Sequence, residues 1–223
     1  MNVCGLCGND VEGKGFHPEC LAKDKANWQE RIKRVWSGEV KEWVGRIKPQ
    51  KTFYGATFQT LPVPLQQQLA PFIRDGGILT FVGPPGTGKT WAAWATAYAV
   101  MMNGYIPRHE PVGDFCDWYD LNQWAMDRRL FGEAGADARG ILNKLEYRDL
   151  LIVDEFAVAR LHEDARMTVL GIISHRFQDD RRTILTTTKS EAELTELVGG
   201  AMVSRINSGT VLKLQGRDRR LHT

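Results

Sequence analysis

A glycine-rich loop near the middle of the chain carries the residue types that bind phosphate. The segment reads GPPGTGKT from Gly83 to Thr90 and follows the apolar run Ile78–Val82. Glycines let backbone N–H groups close around a phosphate, while the lysine reaches the terminal phosphate oxygens and the threonine hydroxyl coordinates Mg²⁺. The alanine-rich segment that follows favours a helix, whose positive N-terminal end would face the phosphates. The pattern predicts a Walker A site for ATP, formed by Gly83, Pro84, Pro85, Gly86, Thr87, Gly88, Lys89, Thr90 and Trp91.

An acidic pair follows a second apolar run. The residues from Leu150 to Val153 are typical of a buried parallel strand, and Asp154 and Glu155 come directly after them. Ligands bind at the carboxyl end of such strands. We expect Asp154 to hold Mg²⁺ through water and Glu155 to polarise the water that attacks ATP. An acidic pair alone would also suit a solvated loop, but the Walker A loop in the same chain favours the catalytic interpretation.

Four metal-ligating side chains lie close together at the N-terminus. Cys4, Cys7, His17 and Cys20 form the pattern C-x2-C-x9-H-x2-C, which suits a tetrahedral zinc site. Disulfides are the alternative, but they need an oxidising compartment, and no basic-then-apolar leader follows Met1. Four protein ligands leave no open position for water, so the sequence predicts that the Zn²⁺ site is structural. The absence of a leader pattern also predicts a cytoplasmic protein. The remaining cysteine, Cys116, is expected to be buried.

A basic segment follows the predicted zinc module. From Lys23 to Lys51 there are nine lysines and arginines and four acidic residues, a net charge of +5, which leaves −3 for the rest of the chain. Trp28, Trp36 and Trp43 belong to an apolar pattern with helical spacing. The segment suits binding to nucleic acid or a partner protein, or equally an amphipathic helix with a solvated basic face.

The 223 residues suffice for one α/β domain and a small appendage. We predict a zinc-binding module at 1–22, a basic amphipathic helical linker at 23–50 and an ATPase domain at 51–223. Apolar runs separated by helical patterns predict a five-stranded, mostly parallel sheet with helices on both faces. The predicted strands are Ile78–Val82, Phe115–Tyr119, Leu150–Asp154, Thr183–Thr187 and Thr210–Leu214. One predicted helix, at 163–177, would present Met167, Leu170, Ile173 and Phe177 on one face.

Several segments together resemble a known family. GPPGTGKT, YRDLLIVDEF, RRTILTTT and SRINSG occur in this order, and from Lys51 onward the chain resembles the P-loop AAA+ ATPases of the DnaC/IstB type. These include loaders of replicative helicases in bacteria and phages, and ATPase helpers of transposases. The segment TFYGATFQTLP resembles the family segment near the adenine. The N-terminal cysteine pattern resembles that of a subset of helicase loaders, whose N-terminal region docks on the helicase.

The resemblance implies roles for further residues. Thr188 occupies the sensor 1 position, where the family usually has Asn, and Arg205 in SRINSG is the candidate arginine finger. Arg220 in GRDRRL is a candidate sensor for the chain's own nucleotide, a role for which Arg217 and Arg219 compete. The family also implies the absence of a C-terminal helical lid. It places DNA-contacting elements near Arg128, Arg129 and Arg139, although a solvated helix face would explain those arginines as well.

Three classes of function compete at this point. The first is an ATP-controlled loader, with a hexameric replicative helicase and single-stranded DNA as partners and an ATP-dependent homo-oligomer as the working form. A transposase helper of the IstB type is the alternative within that class. A P-loop kinase would require a phosphate-clamping lid, and a zinc module with an inert nucleotide domain conflicts with the intact Lys89 and Asp154. The sequence therefore favours the helicase loader.

The zinc hypothesis predicts one Zn²⁺ per chain in protein purified without chelator, measured by elemental analysis. Cys20→Ser should remove the metal and the order of the N-terminal module, because such small modules fold around their metal. ATP binding by the rest of the chain should persist. Native protein that contains no zinc would exclude the assignment.

Overall fold

The computed structural model describes residues 2–3, 10–11, 53, 55–102 and 113–216. The chain divides into two compact units, Met1–Thr52 and Phe53–Thr223. In the first unit, strands β1 (Asn2–Val3) and β2 (Asp10–Val11) form an antiparallel pair. The four predicted zinc ligands and the basic segment lie outside the described residues. Among the residues that are described, no three His, Cys, Asp or Glu side chains group as a metal site would require.

The second unit alternates strands and helices after a short 3-10 helix, Phe58–Thr60. In chain order its elements are α1 (Val63–Asp75), β3 (Ile78–Val82), α2 (Lys89–Met102), β4 (Gly113–Asp117), α3 (Trp118–Asp127), α4 (Glu133–Tyr147), β5 (Leu150–Asp154), α5 (Glu163–Gln178), β6 (Arg182–Thr187), α6 (Glu191–Val198), α7 (Gly200–Ser208) and β7 (Thr210–Lys213). In the part of the chain that the structure describes, no helix has the length and apolar character needed to cross a membrane.

The five strands β3 to β7 form one sheet in the order β4-β5-β6-β3-β7, and every neighbouring pair is parallel. The predicted five-stranded parallel α/β fold is confirmed. Strand β6 lies between β3, which leads into the glycine-rich loop, and β5, which ends at Asp154. In this register Thr187 lies opposite Val82, and Leu185 lies opposite Val153. The carboxyl ends of the three strands therefore meet at one edge of the sheet.

Helices cover both faces of the sheet. Successive strand residues point to opposite faces, so a strand of apolar residues needs a helix on each side. Phe115 of β4 stacks on Trp94 of α2, with ring centroids 5.0 Å apart. The next residue, Cys116, is fully buried and belongs to an apolar cluster with residues of α3 to α7. In that cluster the ring of Trp118 meets the ring of Phe156 edge-on at 4.8 Å. One strand therefore contributes to two separate apolar layers.

The predicted second strand, Phe115–Tyr119, is wrong by two residues at each end. The strand begins at Gly113 and ends at Asp117, whose carboxylate accepts a hydrogen bond of 2.8 Å from the backbone N–H of Asp120. This bond caps the N-terminus of α3, so the apolar Trp118 begins a helix instead of extending the strand.

The predicted buried face of α5 is also wrong at one position. Met167 is 67% exposed, whereas the buried face includes Val169, Ile172 and Arg176. The guanidinium group of Arg176 is fully buried, and it donates hydrogen bonds to backbone carbonyls that include those of Leu145 and of Arg182. The other three predicted residues do face the core, since Ile173 is buried and Leu170 and Phe177 pack against the same cluster. An apolar pattern does not predict the buried arginine.

Candidate nucleotide-binding site

The glycine-rich loop joins β3 to α2 at the carboxyl edge of the sheet. Gly86 and Gly88 have φ angles of +73° and +90°, which glycine adopts at no steric cost. The ammonium group of Lys89 is buried and donates hydrogen bonds to the carbonyl oxygens of Gly83, at 2.8 Å, and Pro84, at 2.7 Å. Helix α2 begins at Lys89, so its positive N-terminal end and the lysine charge lie together at the loop. This is a strong anion-binding arrangement.

Gly83 is required because of a close backbone approach. A Cβ atom at this position would lie 2.2 Å from the carbonyl oxygen of Leu214, which follows β7. The N–H of Leu214 in turn donates to the carbonyl of Val82, and the N–H of Gly83 donates to the carbonyl of Thr187. The start of the loop is therefore fixed by the ends of both neighbouring strands.

The hydroxyl of Thr90, on the first turn of α2, donates to the carboxylate of Asp154. Its Oγ1 lies 3.0 Å from Oδ1 and 3.1 Å from Oδ2 of Asp154. A hydroxyl and a carboxylate are the oxygen donors that Mg²⁺ prefers, so these two side chains fit a shared Mg²⁺ site. The structure thus brings together two candidate residues that are 64 positions apart in the chain.

Glu155 begins the turn that follows β5. It is exposed and has a φ angle of +55°, a left-handed conformation that is uncommon for residues other than glycine. Its backbone N–H donates to the hydroxyl of Thr186 at 3.1 Å, and the same hydroxyl donates to Asp154. The side chain of Glu155 is therefore open to solvent while its backbone is held against the end of β6.

Trp91 lies against the segment that precedes α1. Its indole N–H donates to the hydroxyl of Thr60 at 3.0 Å. A Cβ atom at Gly55 would lie 3.4 Å from the ring of Trp91, which is ordinary contact distance. The segment that resembles the adenine-side element of the family therefore packs beside the first turn of α2.

The two predicted sensors and the predicted arginine finger differ in their surroundings. Thr188 is exposed and directly follows β6, whereas Thr186 in the same run of threonines contacts Asp154. Arg205 lies on α7 with a partly buried side chain, and among the described residues no hydrogen bond or ion pair holds its guanidinium group. Arg220 lies outside the described residues.

The three predicted DNA-contacting arginines surround the corner between α3 and α4. Arg129 forms an exposed ion pair with Asp164 of α5. Arg139 donates to the carbonyl oxygens of Arg128, at 2.7 Å, and of Leu130, at 3.4 Å. Arg128 and Arg139 line one end of an open groove of about 670 Å³ between α4 and α5. The three arginines therefore lie close together. Arg129 and Arg139 also contact other parts of the protein, and Arg128 lines the groove.

Sequence reasoning missed two features of this region. Thr186 contacts Asp154 at the acidic turn that follows β5. The sequence signal that could have identified it is the run of threonines that ends the apolar strand β6. Phe131, at the corner between α3 and α4, is fully exposed. An aromatic residue directly after two arginines and a leucine was the available sequence signal.

Residues 30–206 match the family described as IstB-like ATP binding protein. The chain belongs to this family. The matched residues include both the glycine-rich loop and the acidic turn after β5. The candidate nucleotide-binding site therefore lies within the part of the chain that matches the IstB-like family.

Related proteins include a loader of the replicative helicase. The replicative helicase loader DnaC of Escherichia coli K12 is 24% identical over 204 residues, a match that spans 83% of this chain and 80% of DnaC. A protein of the insertion sequence IS1162 of Pseudomonas fluorescens is 30% identical over 115 residues, 52% of this chain and 45% of that protein. A crystal structure of the DnaC helicase loader superposes with a TM-score of 0.60 and 26% identity, covering 74% of this chain and 99% of that one.

Gly83→Ala should weaken ATP binding by about tenfold or more, because the added methyl group would overlap the carbonyl oxygen of Leu214 and displace the loop. Isothermal titration of ATP in the presence of Mg²⁺ measures the change. Gly140→Ala is the matched control, since a Cβ there would meet no atom of the described residues within 4 Å and should raise helix stability by about 0.5–1 kcal/mol. Equal ATP affinity in the two variants would contradict the packing argument.

Proposed function

We propose that this IstB-like protein is an ATP-hydrolysing loader that delivers a hexameric replicative helicase to single-stranded DNA. The observation that carries the proposal is the contact between Thr90 and Asp154, which joins the phosphate-binding loop to the acidic turn. The similarity to a replicative helicase loader supports the choice of partner, because it extends over most of both chains.

Each residue of the site has a separate task in this proposal. Lys89 exchanges its carbonyl partners for the β and γ phosphate oxygens of ATP. Thr90 and Asp154 hold Mg²⁺, which would neutralise phosphate charge during hydrolysis. Glu155, exposed at the carboxyl edge of the sheet, orients and polarises the attacking water. Trp91 is proposed to support the adenine side through its contact with Thr60.

Arg205 is proposed to act on the ATP of a neighbouring subunit. Its guanidinium group has no hydrogen bond or ion pair among the described residues. Binding to a phosphate on another chain would therefore not have to displace a partner among those residues. An arginine supplied by a second subunit stabilises charge that develops on the transferred phosphate. Hydrolysis would then depend on assembly. Thr188 and Arg220 remain proposed sensors of the chain's own nucleotide.

The corner between α3 and α4 is the proposed contact with single-stranded DNA. Arg128, Arg129 and Arg139 supply positive charge, and Phe131 presents an exposed ring between α3 and α4. Single-strand binding commonly combines basic residues along the backbone with aromatic rings on which bases stack. The combination favours a single strand over a duplex, whose bases are already stacked.

Phe131→Ala should weaken binding to a fluorescent oligothymidylate by about fivefold or more, because one stacked base is worth roughly 1–3 kcal/mol. Fluorescence anisotropy at several salt concentrations measures both the affinity and its salt dependence. The salt slope should stay close to that of the wild type, because Phe131 carries no charge. Tyr147→Ala is the control, because Tyr147 is 59% exposed at the opposite end of α4. Equal affinity of the two variants would remove Phe131 from the interface.

The zinc module is proposed as the docking site for the helicase. A structural metal site presents a rigid surface, and preorganisation lowers the entropic cost of association. An ATPase helper of a transposase is the second candidate function. It is favoured by the family match and by the similarity to an insertion-sequence protein over 52% of the chain.

The loader proposal is tested by mixing the 223-residue chain with purified hexameric helicase. Size-exclusion chromatography then shows whether the two proteins elute as a complex. Lys89→Ala should lose ATP binding, because the phosphates lose their charged partner. Glu155→Gln should bind ATP, hydrolyse it at least about a hundredfold more slowly, and remain on the helicase. Cys20→Ser should bind ATP but fail to bind the helicase.

The outcomes separate the two candidate functions. Binding to the helicase that is lost in Cys20→Ser, while ATP binding persists, supports the loader. Binding to a transposase in the same assay, with none to the helicase, favours the IstB-type helper. If Glu155→Gln hydrolyses ATP at the wild-type rate, the assignment of Glu155 is wrong in either case.

A further inference from the structure

Thr186 occupies a central position beside the two acidic residues of the site. The residue is 1% exposed, near the carboxyl end of β6. Its single hydroxyl donates to Oδ1 of Asp154 and accepts from the backbone N–H of Glu155 at 3.1 Å. One side chain therefore orients the proposed Mg²⁺-binding carboxylate and the backbone of the residue proposed to polarise water.

The turn that follows β5 needs such support, because its backbone is strained. Glu155 and Ala157 have φ angles of +55° and +58°, a region that side chains other than glycine rarely adopt. Such conformations persist only where the surrounding structure holds them. Two backbone groups of Phe156 complete the attachment to β6. Its N–H donates to the carbonyl of Thr186 at 2.7 Å, and its carbonyl accepts from the hydroxyl of Thr187 at 2.8 Å.

The position of β6 explains why a threonine is suited to this task. Asp154 ends β5, and the glycine-rich loop that leads to Thr90 follows β3. Strand β6 lies between these two strands, so its end lies between the acidic turn and the start of the loop. A hydroxyl in the middle can donate to one group and accept from another, which a valine of the same shape cannot do. Thr80, in the neighbouring strand β3, shows that burial alone does not create such contacts. It is fully buried, and its hydroxyl has no hydrogen-bond partner among the described residues.

We propose that Thr186 is a positioning residue, which fixes the carboxylate of Asp154 and the backbone of Glu155 so that Mg²⁺ and nucleotide bind together. This role rests on the proposed ATP hydrolysis, and it makes Thr186 a residue on which the nucleotide-binding site depends. In this proposal Thr186 itself contacts neither the phosphates nor the metal. Its effect passes through the two acidic residues.

The test compares Thr186→Val and Thr186→Ser with Thr80→Val in the full-length protein. Titration with a non-hydrolysable ATP analogue, in Mg²⁺ and in EDTA, gives the gain in affinity due to the metal. Thr186→Val should reduce this gain by about tenfold or more and leave the affinity in EDTA close to that of the wild type. Thr186→Ser keeps the hydroxyl and should restore the gain. Thr80→Val should not change it.

A second measurement needs neither nucleotide nor metal. Amide hydrogen exchange of Glu155 should accelerate by about tenfold or more in Thr186→Val, since its N–H loses an acceptor, and should recover in Thr186→Ser. If Thr186→Val does not fold, Thr186→Ala replaces it as the variant without a hydroxyl.

The proposal is overturned if Thr186→Val retains the full metal-dependent gain, or if the loss is equal in Thr80→Val. Failure of the proposed function has a different signature. A wild-type protein that binds Mg²⁺ and nucleotide without hydrolysing it would contradict the ATPase activity, while loss of the gain in Thr186→Val would still support the positioning role.

Discussion

The hydrogen bond between Thr90 and Asp154 is the contact on which the candidate site depends. Asp154 is the last residue of β5, and Thr90 lies on the first turn of α2, the helix that follows β3 and packs against β6 and β5. The contact is possible because β3, β6 and β5 are parallel and end at the same edge of the sheet. Thr186, near the end of β6, contacts the acidic side of the site. The geometry of the site is therefore a consequence of strand order.

Backbone packing limits the loop as strongly as the side chains do. Gly83 donates to the carbonyl of Thr187 on one side, and the carbonyl of Leu214 leaves no room for a side chain on the other. Because both neighbouring strands contribute, a displacement of either one would move the first residue of the phosphate-binding loop. The fold thereby couples the end of β7 to the same loop that contains Lys89.

The surface proposed for DNA is held together by weaker interactions than the nucleotide site. The ion pair between Arg129 and Asp164 is exposed, and such pairs contribute only about 0–1 kcal/mol to stability. A phosphate of DNA can therefore compete for Arg129 at little cost. Gly140 and Gly171 are among the residues that line the groove beside this corner, and an added Cβ at either would meet no atom of the described residues within 4 Å.

The sequence by itself determined the five-stranded parallel sheet and the phosphate-binding loop, because apolar runs and glycine spacing are local properties of the chain. It also predicted the burial of Cys116, which follows from its residue type. The end of β4 is set by a local cap at Asp117, which the apolar residue Trp118 obscured in the sequence. The burial of Arg176 required tertiary structure, because its guanidinium group binds carbonyl oxygens that other elements supply. Only the folded chain placed β6 between the two halves of the site and gave Thr186 its contacts, because strand order depends on packing between distant segments, which local residue patterns do not encode.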